Sequence, residues 1–179
     1  MLSSFLCLMM YLMDTLFFLW QLRQLRYDSR KNLELDNILL IVAQSGSFVF
    51  NIFCIIGGHL TPVENDKLVL VTPLVCLIQV VLQTLFILDA SKRVVATSAQ
   101  ARGKPGREIV TFLLVTNLAM WLINCLEKSR GDSHPYLLHF YGVWGWTVIT
   151  RIFMPLAIFY RFHSTVCLCE IWKKAYKIR

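Results

Sequence analysis

Five runs of apolar residues, separated by short and mostly basic stretches, leave this chain few ways to fold. They cover about residues 2–22, 37–60, 68–90, 108–127 and 137–172. A hydrocarbon core about 30 Å thick is crossed by roughly 20 helical residues. No water is available there for backbone N–H and C=O groups, so runs of this length are expected to satisfy them internally as helices. With 56% hydrophobic and only 16% charged residues in 179, the runs consume most of the chain. The expectation is an all-α polytopic transmembrane helix bundle of about five spans, a single transmembrane domain over residues 1–179 with no room for a soluble catalytic domain.

Local signals place the ends. Asp36 suits a cap before the second run, Gly57-Gly58 closes it, and Gly103-Lys104-Pro105-Gly106 breaks the chain before the fourth. Pro73 falls in the first turn or two of the third run, where a missing N–H matters least. The fifth run, roughly 50 Å as a helix, must tilt, kink or protrude, and Pro155 is the expected kink. The first run lacks a basic leader and an Ala-x-Ala cleavage site, so it reads as a retained span.

Lys and Arg accumulate in alternate connections. The first holds Arg23, Arg26, Arg30 and Lys31, the third holds Lys92, Arg93, Arg102, Lys104 and Arg107, and the tail holds Lys173, Lys174, Lys177 and Arg179. The second has only Lys67, and in the fourth Lys128 and Arg130 are offset by Glu127 and Asp132. The positive-inside rule puts the first set in the cytoplasm, with the C-terminus inside and the N-terminus outside. An outside start without a cleavable signal suggests a piece of a larger protein. The net charge of +7 therefore orients the chain in a membrane, and no nucleic-acid partner is expected; the membrane expected is the plasma membrane. The six cysteines lie in or at the ends of apolar runs, where thiols behave as small hydrophobes, so no disulfide framework is expected.

Ionisable residues inside a bilayer are expensive and mark functional or paired positions. Arg151 lies some 20 Å into the fifth run and needs a partner. Asp89 is the first choice and Asp14 the second; a structural ion pair or snorkelling competes with a functional role. Gln44 and Asn51, Gln79 and Gln83, and Asn117 and Asn124 form polar tracks through three spans. Such tracks suit a water wire, and interhelical amide bonding competes with that reading. His59, His134 and His139 sit at outer ends, as solvated side chains or as sensors of external pH and zinc. His163, flanked by Arg161, Ser164 and Thr165, is weighted toward proton transfer, because an imidazole takes a proton on one nitrogen and releases it from the other. The sequence contains neither Cys-x-x-Cys nor a nucleophile elbow, and Cys167-x-Cys169 points its thiols to nearly opposite sides of a helix. An enzyme is not expected, and neither is a cofactor or a structural metal. The aromatic stretch Phe140–Trp146 reads as an interfacial belt.

Three segments together resemble the otopetrin family of proton channels: Leu82-Gln83-Thr84-Leu85-Phe86-Ile87-Leu88-Asp89-Ala90, Arg107-Glu108-Ile109-Val110-Thr111-Phe112-Leu113-Leu114-Val115-Thr116-Asn117, and Met154-Pro155-Leu156-Ala157-Ile158-Phe159-Tyr160-Arg161-Phe162-His163-Ser164. The resemblance runs from about residue 35 to near the C-terminus and is weaker in the first run. It implies a dimeric channel of twelve helices in two halves, of which these five spans would be the last five. It also implies proton-selective permeation that responds to external acid and zinc, with His163 matching a histidine implicated in the last helix. Gln44, Gln83, Asp89 and Asn117 are carried over as constriction residues, and Arg151 joins them as a candidate of the proton pathway.

The expected function is passive proton transport by a truncated or partial otopetrin-like channel. The rival is a non-conducting membrane scaffold or regulator. Expected partners are membrane lipid, protons, and either a second copy or an otopetrin N-terminal half.

Overall fold

A computed structural model describes residues 26–27, 35–60, 67–95, 97, 102–103, 106–129 and 135–174. The elements in chain order are β1 (Arg26–Tyr27), α1 (Leu35–Leu60), α2 (Lys67–Ser91), β2 (Arg93–Val94), α3 (Arg107–Ser129) and α4 (Pro135–Lys174). Among the described residues, four helices are long and apolar enough to cross a membrane. Their ends fall within two residues of those expected for the last four runs. The first run, 2–22, lies outside the described residues, and with it Asp14.

Each helix begins where its sequence favours a start. Asp36 stands in the first turn of α1, where its carboxylate faces the positive end of the helix dipole. Gly106 adopts φ +80° just before α3 and accepts a hydrogen bond from the Val110 N–H at 3.1 Å. Pro135 opens α4, where its missing N–H would have no helical partner anyway.

The helices run antiparallel in sequence order, and α4 is central, packing on α1 and α3 and touching α2. Asn37 Nδ2 donates to Ser91 Oγ at 3.3 Å, joining the start of α1 to the end of α2. At the opposite end Gly57 of α1 meets Leu137 and Tyr141 of α4. Two apolar cores form. Leu40, Phe86, Ile87, Leu113, Tyr160 and Leu168 belong to one, and Cys54, Leu137, Trp146 and Ile149 make the other.

The outside of this bundle is also apolar: Val42, Ile78, Val115, Val148 and Ile152 are all exposed, and Trp144 is 86% exposed. In water such a surface would drive association, whereas in lipid it is the solvated face. With no hydrophobic drive between helices in a bilayer, close contact depends on small residues. On α1 these are Ala43, Gly46, Ser47, Cys54 and Gly57, all buried. Gly46 lies so close to Leu156 that a Cβ there would overlap the leucine side chain.

Two features differ from expectation. The break in α4 is at Gly142, with φ 71° and ψ 167°, and not at Pro155. That backbone region is open essentially to glycine alone, whereas proline fixes φ near a helical value and the backbone stays helical through Pro155. The second is the antiparallel pairing of β1 with β2, which sets Arg26 opposite Val94 and Tyr27 opposite Arg93. It ties the chain ahead of α1 to the chain after α2, with Lys92 Nζ 5.8 Å from the Tyr27 ring centre.

Candidate functional site

Where α2, α3 and α4 meet, the apolar interior is interrupted by a seam of carboxamides and one guanidinium. Gln79 and Gln83 stand one turn apart on α2, so both project toward the same neighbours. Gln79 Nε2 donates to Gln83 Oε1 at 2.7 Å, and Gln83 Nε2 donates to Asn117 Oδ1 on α3 at 2.8 Å. Asn117 Nδ2 passes its own bond back to the Leu113 carbonyl at 2.9 Å. From α4, Arg161 Nη1 donates to the same Gln83 Oε1 at 3.2 Å, and Nη2 approaches Cys76 Sγ at 3.8 Å. Gln79, Gln83 and Asn117 are fully buried and Arg161 is nearly so.

The amide bonds run one way, from α2 toward α3, and end on a backbone carbonyl. Gln79 Oε1 is left at the head of the row, buried and without a partner among the described residues. An unsatisfied buried acceptor costs about 1–3 kcal/mol, so it is a natural anchor for water. A carboxamide offers a donor and an acceptor and does not titrate in the accessible range. The seam therefore presents donors and acceptors in a fixed order and does not itself take up a net proton.

Beside the seam, Tyr160 OH lies 2.9 Å from Thr84 Oγ1 and donates to the Val80 carbonyl at 2.9 Å. This hydroxyl pair fastens α4 to α2 within the buried core.

His163 faces elsewhere. Its Nε2 is 2.8 Å from the Asp36 carbonyl at the start of α1, and its ring stacks on Phe159 with centres 5.4 Å apart. A carbonyl only accepts, so Nε2 must carry the proton and Nδ1 is the nitrogen left to exchange. Arg161, a neighbour in sequence, points to α2 while His163 points to α1, since two residues on a helix are separated by about 200°.

Of the residues singled out from sequence, Gln83 and Asn117 are thus bonded to one another. Gln44 is half-buried on α1 and belongs to no hydrogen bond among the described residues. Asp89 is engaged by Arg93, with Nε 2.6 Å from Oδ2 and Nη2 3.1 Å from Oδ1. The expected Asp89–Arg151 pairing is therefore absent: the closer partner is the i+4 arginine on the same chain end. Arg151 itself is exposed on α4. His59 and His139 are exposed, and His134 lies outside the described residues. Asn51 bonds the Ser47 carbonyl within α1 at 2.7 Å.

Sequence reasoning treated Arg161 only as a neighbour of His163 and passed over Tyr160 and Thr84. The available signal was the register of α4, where Tyr160 and Arg161 follow a long apolar stretch and precede Ser164 and Thr165, all of them buried.

Comparison with known proteins bears on this arrangement. A family model described as Otopetrin matches residues 1–162, so it takes in the first apolar run and stops one residue before His163. The proton channel OtopLc of Drosophila melanogaster is 59% identical over 159 residues, which are 89% of this chain and 10% of that protein. Human proton channel OTOP2 is 33% identical over 66 residues, 37% of this chain and 12% of the relative. Proton channel OTOP1 of Danio rerio is 29% identical over 76 residues, 39% and 13% respectively. The chain thus spans about a tenth of the length of the curated relatives it matches. Four apolar helices around a buried amide seam, a family model over most of the sequence and a close relative named as a proton channel agree: this multi-pass membrane protein belongs to the otopetrin family of proton channels.

Proposed function

We propose that this chain forms part of a passive, proton-selective pathway, with protons crossing on water oriented by the polar seam between α2, α3 and α4. The observation that carries the reading is the row Gln79–Gln83–Asn117 with Arg161 beside it, buried inside helices that are otherwise apolar. Their bonds leave one buried acceptor, Gln79 Oε1, unfilled. Proton transfer at the basic end of the bundle falls to His163 and Asp89, with Gln44 and Arg151 as further lining. His59, His134 and His139, at the other end, are the positions assigned to external acid and zinc. The protein acts as an ion channel rather than an enzyme, in the plasma membrane with its C-terminus in the cytoplasm, and as a homodimer or with an otopetrin N-terminal half.

A second reading is a non-conducting scaffold or regulatory partner, in which the bonds from Gln83 to Asn117 and Arg161 only hold α2, α3 and α4 together. Whole-cell recording with intracellular pH imaging under an external acid step separates the two. The chain is expressed alone and then with an otopetrin N-terminal half, with zinc as the blocking control. A zinc-sensitive inward current in either arm, reduced by Asp89→Asn at unchanged surface expression, is the expected result. Silence in both arms with protein at the surface overturns the channel reading.

A further inference from the structure

One end of the bundle is basic. The start of α1, the end of α2, the start of α3 and the end of α4 lie there, and the Asn37–Ser91 bond and the pairing of β1 with β2 tie the first two together. In sequence, the connections and tail at this end hold thirteen Lys and Arg, with six Asp and Glu in or beside them. The connections at the other end hold Lys67, Lys128 and Arg130 against four acidic residues. An excess of seven, equal to the net charge of the chain, therefore stands at the basic end.

Aromatic rings position two of these cations. The guanidinium carbon of Arg107, at the start of α3, is 4.3 Å from the centre of the Trp172 ring on α4. Lys92 Nζ, after the end of α2, is 5.8 Å from the centre of the Tyr27 ring in β1. A ring face attracts a cation without consuming its N–H donors. Two exposed cations stand beside the pairs, Arg26 before Tyr27 and Lys173 after Trp172. Both pairs border the same end of one core, because Val95, just beyond β2, packs with Ile109 and Trp172 against the cluster that contains Ala90, Val110 and Ile171. Tyr27 is 49% exposed and Trp172 is half-buried, as suits rings at the boundary between hydrocarbon and water. Of the acidic side chains described there, Asp89 is held by Arg93 and Glu170 is also engaged. Asp36 and Glu108 are thus set against Arg26, Lys92, Arg107 and Lys173.

We propose that this end is a docking surface for acidic phospholipids of the adjoining leaflet, with headgroup phosphates taken by Arg107 and Lys173 beside Trp172 and by Arg26 and Lys92 beside Tyr27. Charge complementarity selects the occupant. A guanidinium pairs with a phosphate through two parallel hydrogen bonds, and the headgroup layer carries phosphate at the level where the apolar helices end. Basic residues next to a membrane-crossing helix are attracted to anionic lipid for this reason. The inference rests on the grouping of charges at one end, not on conduction or on which side of the membrane that end faces.

The test uses the full chain in nanodiscs of phosphatidylcholine, with and without phosphatidylserine. Thermal unfolding reads the stability, and mass analysis reads the lipid kept by the protein on transfer to detergent. Phosphatidylserine should raise the unfolding temperature by several degrees at low salt, lose most of that effect at high salt, and be retained several-fold over phosphatidylcholine. Equal stability and equal retention in the two lipids overturn the proposal in the parent protein, without recourse to a variant. Arg107→Gln with Lys173→Gln, and Arg26→Gln with Lys92→Gln, should each remove a large part of the rise. Arg107→Lys should keep most of it, and Lys67→Gln, at the other end, should keep all of it. A rise that survives loss of all four cations overturns the assignment, and so does an equal rise from inorganic phosphate added to phosphatidylcholine discs, which would make the ligand a free anion. These readouts use no proton current, so they stand or fall separately from the channel reading.

Discussion

Gln83 stands at the junction of three helices because its single side chain serves two of them at once: Nε2 donates to Asn117 of α3 at 2.8 Å while Oε1 accepts from Arg161 of α4 at 3.2 Å. The same oxygen also accepts from Gln79 at 2.7 Å. A carbonyl oxygen has two lone pairs and here receives two donors, so the orientation of the Gln83 amide is determined from both ends.

Replacing one member of this junction leaves its partner buried and unpaired. Asn117→Leu should lower stability by about 1–3 kcal/mol, because the Gln83 amide N–H then lacks an acceptor. Gln83→Leu should cost more than Asn117→Leu, because it takes the shared acceptor from both Gln79 Nε2 and Arg161 Nη1. Thermal unfolding in detergent measures the stability, and recording under an acid step measures transport. If the seam orients water for protons, Asn117→Leu loses more current than its loss of folded protein accounts for; if the amides only hold the bundle together, the current per folded protein is unchanged.

Gly142 supplies a cleaner test of backbone strain. Its φ of 71° and ψ of 167° belong to a region that side-chain-bearing residues avoid, yet nothing lies within 4 Å of where a Cβ would stand. Gly142→Ala should therefore lower stability by about 1–3 kcal/mol through the backbone alone. Gly145→Ala, at a helical position with its nearest neighbour 3.5 Å away, should be tolerated. Equal effects of the two, compared by thermal unfolding, would show that α4 does not break at Gly142.

How much of this was visible in the sequence follows from what sets each feature. Helix ends were legible because bilayer thickness and hydropathy fix length, and α1 to α4 begin and end within two residues of the expected bounds. Burial of Gln83 and Asn117 was legible for a similar reason, since an amide in an apolar run must find a partner. Rotation about each helix axis was not. Gln44 and Gln83 look alike in sequence, and only the packing of α4 decides that one joins the seam and the other remains outside it. Arg161 was read with His163 because they are two residues apart, although that spacing turns them toward different helices. The kink was assigned to Pro155 because proline is visible as a residue type, while a positive φ at Gly142 is a property of the backbone. The pairing of Arg26–Tyr27 with Arg93–Val94 joins residues far apart in the chain through two positions each, too little sequence to carry a strand pattern.

Gly46 tests the close approach of α1 and α4. A Cβ there would meet the Cβ and Cδ2 of Leu156, and overpacking of this kind typically costs about 1–3 kcal/mol. Gly46→Val should reduce recovered protein, and Leu156→Ala on top of it should restore only part of the loss, because it removes the Cγ and Cδ2 contacts but keeps the Leu156 Cβ. The same rescue is not expected for Gly57→Val, whose neighbours are Leu137 and Tyr141.

His163 separates fastening from proton transfer. Its Nε2–H holds the Asp36 carbonyl at 2.8 Å, and that N–H is present in both the neutral ring with this tautomer and the charged ring. Taking up a proton at Nδ1 therefore leaves the bond between α4 and α1 intact, so acidification should not release the two helices. His163→Ala removes the bond and leaves the ring of Phe159 without its stacking partner, and should lower stability by about 1–2 kcal/mol together with any current. His163→Gln is the informative variant, because its Nε2 offers a donor in the same position and cannot exchange a proton. Thermal unfolding is expected to place this variant near the parent while recording under an external acid step finds a current reduced several-fold. A full current from the His163→Gln protein would assign the residue to fastening α1 alone, and the proton would then have to leave the seam by way of Asp89.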